Sequence, residues 1–201
     1  MEIFENLRPI VERVLEGNSW IRWVHEGTKP AYTIAEKQEY VNMNKTNSHC
    51  ATCLNLNGCH FPENNMPDQP VHPNCHCIKK HINEPIPNKT AFAKCPIEKF
   101  THWAFANDAK KRFFEINGYD IMDSESLKEE YERQAVQKYA EGNFVLGKLD
   151  GYGQRITIHL ELVRRYGWTK DPFTLNSGWL VYPDGKIQLT TPATDLSRHR
   201  A

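Results

Sequence analysis

Residues 49–81 read HCATCLNLNGCHFPENNMPDQPVHPNCHCIKKH and hold five of the six cysteines and five of the nine histidines of a 201-residue chain. Cys50-Ala-Thr-Cys53 is a C-x2-C turn, and His72-Pro-Asn-Cys75-His76-Cys77 is an H-x2-C-x-C run that follows after 18 intervening residues. A short C-x2-C loop turns both thiols toward one point, and a structural zinc site takes four such ligands, usually two from each of two segments. The spacing therefore predicts a structural zinc site drawn from Cys50, Cys53, His72, Cys75 and Cys77, five candidates for four places. Cys59, His60, His76 and His81 read as bystanders. Between the clusters, Phe61 to Pro70 carries three prolines and has little capacity for helix or inner strand. A metal clip gives such a loop a reason to be ordered. Catalytic zinc keeps an open position beside an acid or base; the loop offers Glu63 and Asp68 but no H-E-x-x-H arrangement, so the site reads as structural. Disulfides and unliganded thiols are the competing arrangements. No secretory leader is recognisable ahead of the segment, and the chain reads as intracellular, which favours the metal.

The series Cys50, Cys53, Leu56, Gly58, Phe61, then prolines, then His72, Pro73, Asn74, Cys75 and Cys77 resembles the cysteine-rich tail motif of phage head morphogenesis proteins of the Mu F-like family. The family commonly carries Arg between the last two cysteines, where this chain has His76. The match covers about thirty residues, and the 49 residues ahead of it leave no room for the long helical domain that precedes the motif in full-length members.

On the N-terminal side, Ile3, Leu7, Ile10, Val11, Val14 and Leu15 share one helical face, with Pro9 near the start and Gly17 at the end. Trp20 to Val24 reads as a short strand whose tryptophans serve a small core. On the C-terminal side, residues 82–90 form a proline-spaced linker. Beyond it, Asn107 caps a helix that runs to Asn117, and a second helix starts near Asp123 or Ser124, carries Leu127, Tyr131, Ala135 and Tyr139, and stops at Gly142. Glu129 and Arg133 stand as an i,i+4 pair.

The period then switches to two. Asn143 to Leu149, Gln154 to Arg164, Gly178 to Tyr182 and Lys186 to Thr190 read as two hairpins. The expected fold class is α+β: an N-terminal helical arm (1–49), a zinc-clipped loop module (50–81), the linker (82–90), two helices on a four-stranded antiparallel sheet (91–195) and a tail (196–201). This last domain is similar to an uncharacterised domain found at the ends of phage head proteins and of some polymorphic toxins. The likeness rests on Lys99, Phe100, Thr101, Phe113, Phe114, Asn117, Gly118, Tyr119, Ser177, Gly178, Trp179, Pro183 and Gly185.

Both resemblances imply a minor head or head-associated protein without enzymatic activity. It would contact capsid or portal proteins, in multiple copies per virion, and reside in the host cytoplasm during assembly. The rival expectation is a small ribonuclease. Helices followed by an antiparallel sheet is also the layout of barnase-like toxins, and Arg155, Thr157, His159 and Glu161 fall on one strand face, with His102, Arg164 and Arg165 as possible additions. A solvated strand face produces the same alternation. Charge does not support nucleic-acid binding: 25 basic residues balance 25 acidic ones, and residues 96–201 carry fifteen of each. No apolar run approaches the roughly 18 residues of a membrane span.

Overall fold

Trp20–Val24 (β1) is the middle strand of a three-stranded antiparallel sheet whose neighbours both come from the cysteine-rich segment. The computed structural model describes residues 19–43, 51–73, 75, 77–82, 93–165 and 171–194. The expected N-terminal helix, Cys50, almost all of the linker and the tail lie outside them. On one side β1 pairs with His60–Pro62 (β2), and on the other with Ile78–Ile82 (β3). Pro62 ends an edge strand, where its missing N–H costs no ladder bond. Trp20 and Trp23 are both buried, so both faces of β1 are covered.

Two helices, Ile34–Met43 (α1) and Ala51–Leu56 (α2), stand between β1 and β2 in the chain. The sequence shows no apolar stripe for α1, but Thr33 and Glu36 form a reciprocal cap. The Glu36 N–H donates to Thr33 Oγ1 at 3.2 Å, and the Thr33 N–H donates to Glu36 Oε2 at 2.8 Å.

The second sheet has five strands. Val145–Asp150 (β5), Gly153–Val163 (β6), Pro172–Val181 (β7) and Ile187–Thr191 (β8) make the antiparallel meander that the alternation predicts. The fifth strand, Ala93–Lys94 (β4), runs parallel to β8 at its edge. Two residues carry no periodicity, which is why the sequence pattern suggests four strands rather than five. Asp108–Ile116 (α3) begins at Asn107, whose side chain accepts from the Lys110 N–H at 3.2 Å. Ser124–Ala140 (α4) follows a 3-10 turn at Ile121–Asp123, and Gly142 takes the left-handed conformation (φ 73°) that closes it. On its surface Arg133 turns to Glu130 (Nε to Oε2, 2.8 Å) rather than to the Glu129 that helical spacing suggested.

Ile156, Ile158, Leu160 and Leu162 on β6 join Phe100, Phe114, Leu127, Tyr131 and Tyr139 in a core that also takes in Trp20, Trp23, Cys53, Leu56, Phe61 and Cys77. At about 1.5–3 kcal/mol per fully buried large apolar side chain, this shared core is the main force joining the two sheets. Polar contacts fix the register between them. Tyr139 Oη donates to the His60 carbonyl at 2.6 Å, and Asn65 Nδ2 donates to the carbonyls of Gly142 (2.8 Å) and Phe144 (2.7 Å). Asn64 Nδ2 donates to Glu141 O at 3.0 Å. The loop after β2 therefore satisfies carbonyls left open where α4 ends.

Candidate metal centre

Cys53 lies on α2, and Cys75 and Cys77 lie on the chain that leads into β3. Pairing of β3 with β1 fixes that lead. Lys79 Nζ, over the Trp23 ring at 5.2 Å, donates to Pro67 O at 2.9 Å, and the Gln69 side chain donates to the Cys77 carbonyl. The Sγ atoms of Cys53, Cys75 and Cys77 lie within 4.8 Å of one another, and Cys53 and Cys75 are 3.6 Å apart. A disulfide holds its sulfurs near 2.05 Å, and all three thiols are free. Tetrahedral zinc with Zn–S near 2.3 Å places its sulfurs about 3.8 Å apart. The Cys53–Cys75 separation matches that edge, so the three sulfurs can hold a metal ion. His72 adjoins them, its Nε2 at 2.8 Å from Cys53 Sγ.

The electrostatics of the cluster are those of sulfurs competing for protons. Hydrogen bonding to Cys77, followed by burial, pushes the Cys53 thiol far up, whereas the hydrogen bond from Cys53 pulls Cys77 down to about 7 despite burial, with Cys75 and His72 adding to the effect. A dication would relieve the same crowding by displacing the protons. Of the five residues singled out by spacing, Cys53, Cys75 and Cys77 converge and His72 adjoins Cys53; Cys50 is outside the described residues. The bystanders Cys59 and His60 are buried in and beside β2, away from the clustered sulfurs.

The residues named for the rival chemistry sit where the alternation put them. Arg155, Thr157, His159 and Glu161 face away from the core on β6, with His159 and Glu161 exposed and His159 paired across to Asn176 of β7. The arginines there already face acceptors of this chain. Arg155 Nε is 3.2 Å from Asp150 Oδ2, Arg164 Nε donates to Asn117 Oδ1 at 3.1 Å, and Arg165 pairs with Asp123 while stacking on Tyr119 at 4.4 Å. His102 is exposed in the π-helical turn Lys99–Ala104.

A second polar cluster is not anticipated by the sequence reading. Lys37 of α1 is fully buried; its Nζ donates to Asn55 O at 3.0 Å and lies over the Tyr182 ring at 4.9 Å. Burial holds its amine below the ordinary lysine range. Cys59 Sγ donates to the same Asn55 carbonyl at 3.7 Å, and burial raises its thiol to about 11. The Thr33-x-x-Glu36 capping pattern could have revealed the helix that carries Lys37, but no local signal marks the lysine as buried. Among the described residues no helix is long and apolar enough to cross a membrane. Comparison with protein-family models, with curated proteins and with solved structures finds no match, so function must be argued from the residues themselves.

Proposed function

We propose that this chain is a structural protein in which a zinc ion, held by Cys53, Cys75 and Cys77, clips the cysteine-rich segment to the fold, and that it works through protein contacts as a head-associated component of a tailed phage. One observation carries the metal half: three thiols converge within 4.8 Å, Cys53 from α2 and Cys75 and Cys77 from the lead into β3. Thiolate ligands favour zinc over hard cations such as calcium or magnesium. The phage half is supported by two sequence resemblances in separate segments, the Cys50–Cys77 motif and the Lys99–Gly185 pattern, which point to the same class of genes. Capsid and portal proteins are the partners this reading implies, with the virion as its place. Quantitative mass spectrometry of virions of the encoding phage tests it: a fixed, high copy number per head is expected. Absence from virions with abundance in the infected-cell lysate would overturn it.

The ribonuclease reading keeps one favourable observation, the exposed His159 beside Glu161 on a single strand face. It requires RNA cleavage that disappears on His159→Ala in a variant that still folds.

A further inference from the structure

We infer that His72 Nε2 is the fourth ligand, so that Cys53, Cys75, Cys77 and His72 form a closed Cys3His zinc centre and Cys50 is spare. This rests on the metal-clip reading above and goes beyond it in naming the ligand set. Position is the first argument. Nε2 lies 2.8 Å from Cys53 Sγ, against the sulfur that itself sits 3.6 Å from Cys75.

The tautomer is the second argument. His72 Nδ1 is 2.6 Å from the Pro73 carbonyl, which can only accept. The ring proton is therefore on Nδ1, and the lone pair is on Nε2, facing the sulfurs. Zinc-bound histidines are held in this way, with the non-ligating nitrogen donating to a carbonyl that fixes the ring's orientation and raises its basicity.

The chemistry of the set is the third argument. Three thiolates and one neutral imidazole complete a tetrahedron with no place for water, which is the composition of a structural site. Cys53 and Cys77 are buried, while Cys75 and His72 are half-buried, so the ion enters and leaves on the His72–Cys75 side. A tetrahedral centre needs about 3.6 Å between a sulfur and a nitrogen ligand; His72 touches Cys53 but lies outside the group of sulfurs that are all within 4.8 Å of one another, so on binding the ion its ring must part from Cys53 and close on Cys75 and Cys77.

X-ray absorption at the zinc edge of the zinc-loaded full chain decides, without any mutation, whether a nitrogen completes the set. Three sulfurs and one nitrogen are expected; four sulfurs would overturn the assignment and leave the metal clip standing. Cobalt(II) titration provides the genetic counterpart. Cys50→Ser should keep one-to-one binding and the wild-type thiolate-to-cobalt absorption, whereas His72→Ala should weaken binding by about tenfold or more. His72→Cys should restore tight binding with stronger charge-transfer absorption. A Cys50→Ser variant that loses thiolate absorption, beside a His72→Ala variant that binds normally, overturns the proposal. A wild-type chain that takes up neither zinc nor cobalt overturns the metal-clip reading as well.

Discussion

The side-chain amide of Gln134 pairs with both backbone groups of Glu161. Gln134 Nε2 donates to the Glu161 carbonyl at 2.6 Å, and the Glu161 N–H donates to Gln134 Oε1 at 3.0 Å. A neighbouring strand would make the same two bonds. Here β5 pairs with β6 only through residue 157, and β6 continues to Val163. Helix α4 thus supplies one amide where the sheet has run out of partner strand, closing an edge that would otherwise be open to another chain.

Gln134→Ala should therefore destabilise the protein by about 1–2 kcal/mol, since a partly buried donor and acceptor lose their partner together. It should also promote self-association through the freed edge of β6. Urea denaturation and light scattering measure the two effects. A variant as stable and as monomeric as the wild type would mean that water replaces the amide without cost.

Metal removal is the second test. Anything that binds only the folded state stabilises it by mass action, about 4 kcal/mol when free zinc exceeds its dissociation constant a thousandfold. Chelation should lower the wild-type melting temperature and expose apolar surface around Trp20, Trp23 and Cys53, which share one core. Cys53→Ala should melt near the chelated wild type and not respond to chelator. Equal melting of wild type and variant, with and without chelator, would remove the metal from the stability argument.

The contrast between what the sequence revealed and what it concealed follows the range of the interactions. Asn107, Gly142 and the inward stripe on β6 are local signals, and the helices and meander they predict are present. The ligand spacing is also local, and the residues it singles out include the three thiols that converge. Three features depend on contacts remote in sequence. Strand β1 is central because residues 38 and 58 positions away flank it, as in the pairs Arg22–His60 and Arg22–Lys80. Strand β4 is visible only through its pairing with β8. Lys37 sits in a polar segment, yet the β5–β6 turn and Tyr182 bury it, and no pattern within α1 reports that.

That turn gives a third prediction. Gly153 has φ 112°, and a Cβ built there would lie 3.0 Å from Lys37 Nζ and 3.4 Å from Asn55 O. The lysine is held by its bond to Asn55 and cannot withdraw into solvent. Gly153→Ala should cost about 1–3 kcal/mol, combining backbone strain with crowding of the buried amine. Gly27→Ala is the control, since Gly27 also has positive φ (77°) but open space around it; it should cost only about 1 kcal/mol. Equal losses by denaturation would show that Lys37 does not restrict the turn.

His60 makes stability depend on acid. Burial lowers its imidazole from 6.5 to about 4, with Asp184, 4.0 Å away, opposing the shift and Arg22 assisting it. The folded state thus keeps His60 neutral at a pH where the unfolded chain binds a proton. Its contribution is fully present above 6.5 and is lost as pH falls toward 4, because the unfolded state then binds more protons. The loss amounts to about 1–3 kcal/mol across the window. His60→Gln does not titrate, so the stability difference between wild type and variant should shift in the variant's favour between pH 6.5 and 4. Protonation of Cys77 and release of a metal affect both proteins alike and cancel in that difference. Parallel stability curves for the two proteins from pH 7 to 4 would show that His60 takes up its proton without cost in the folded state.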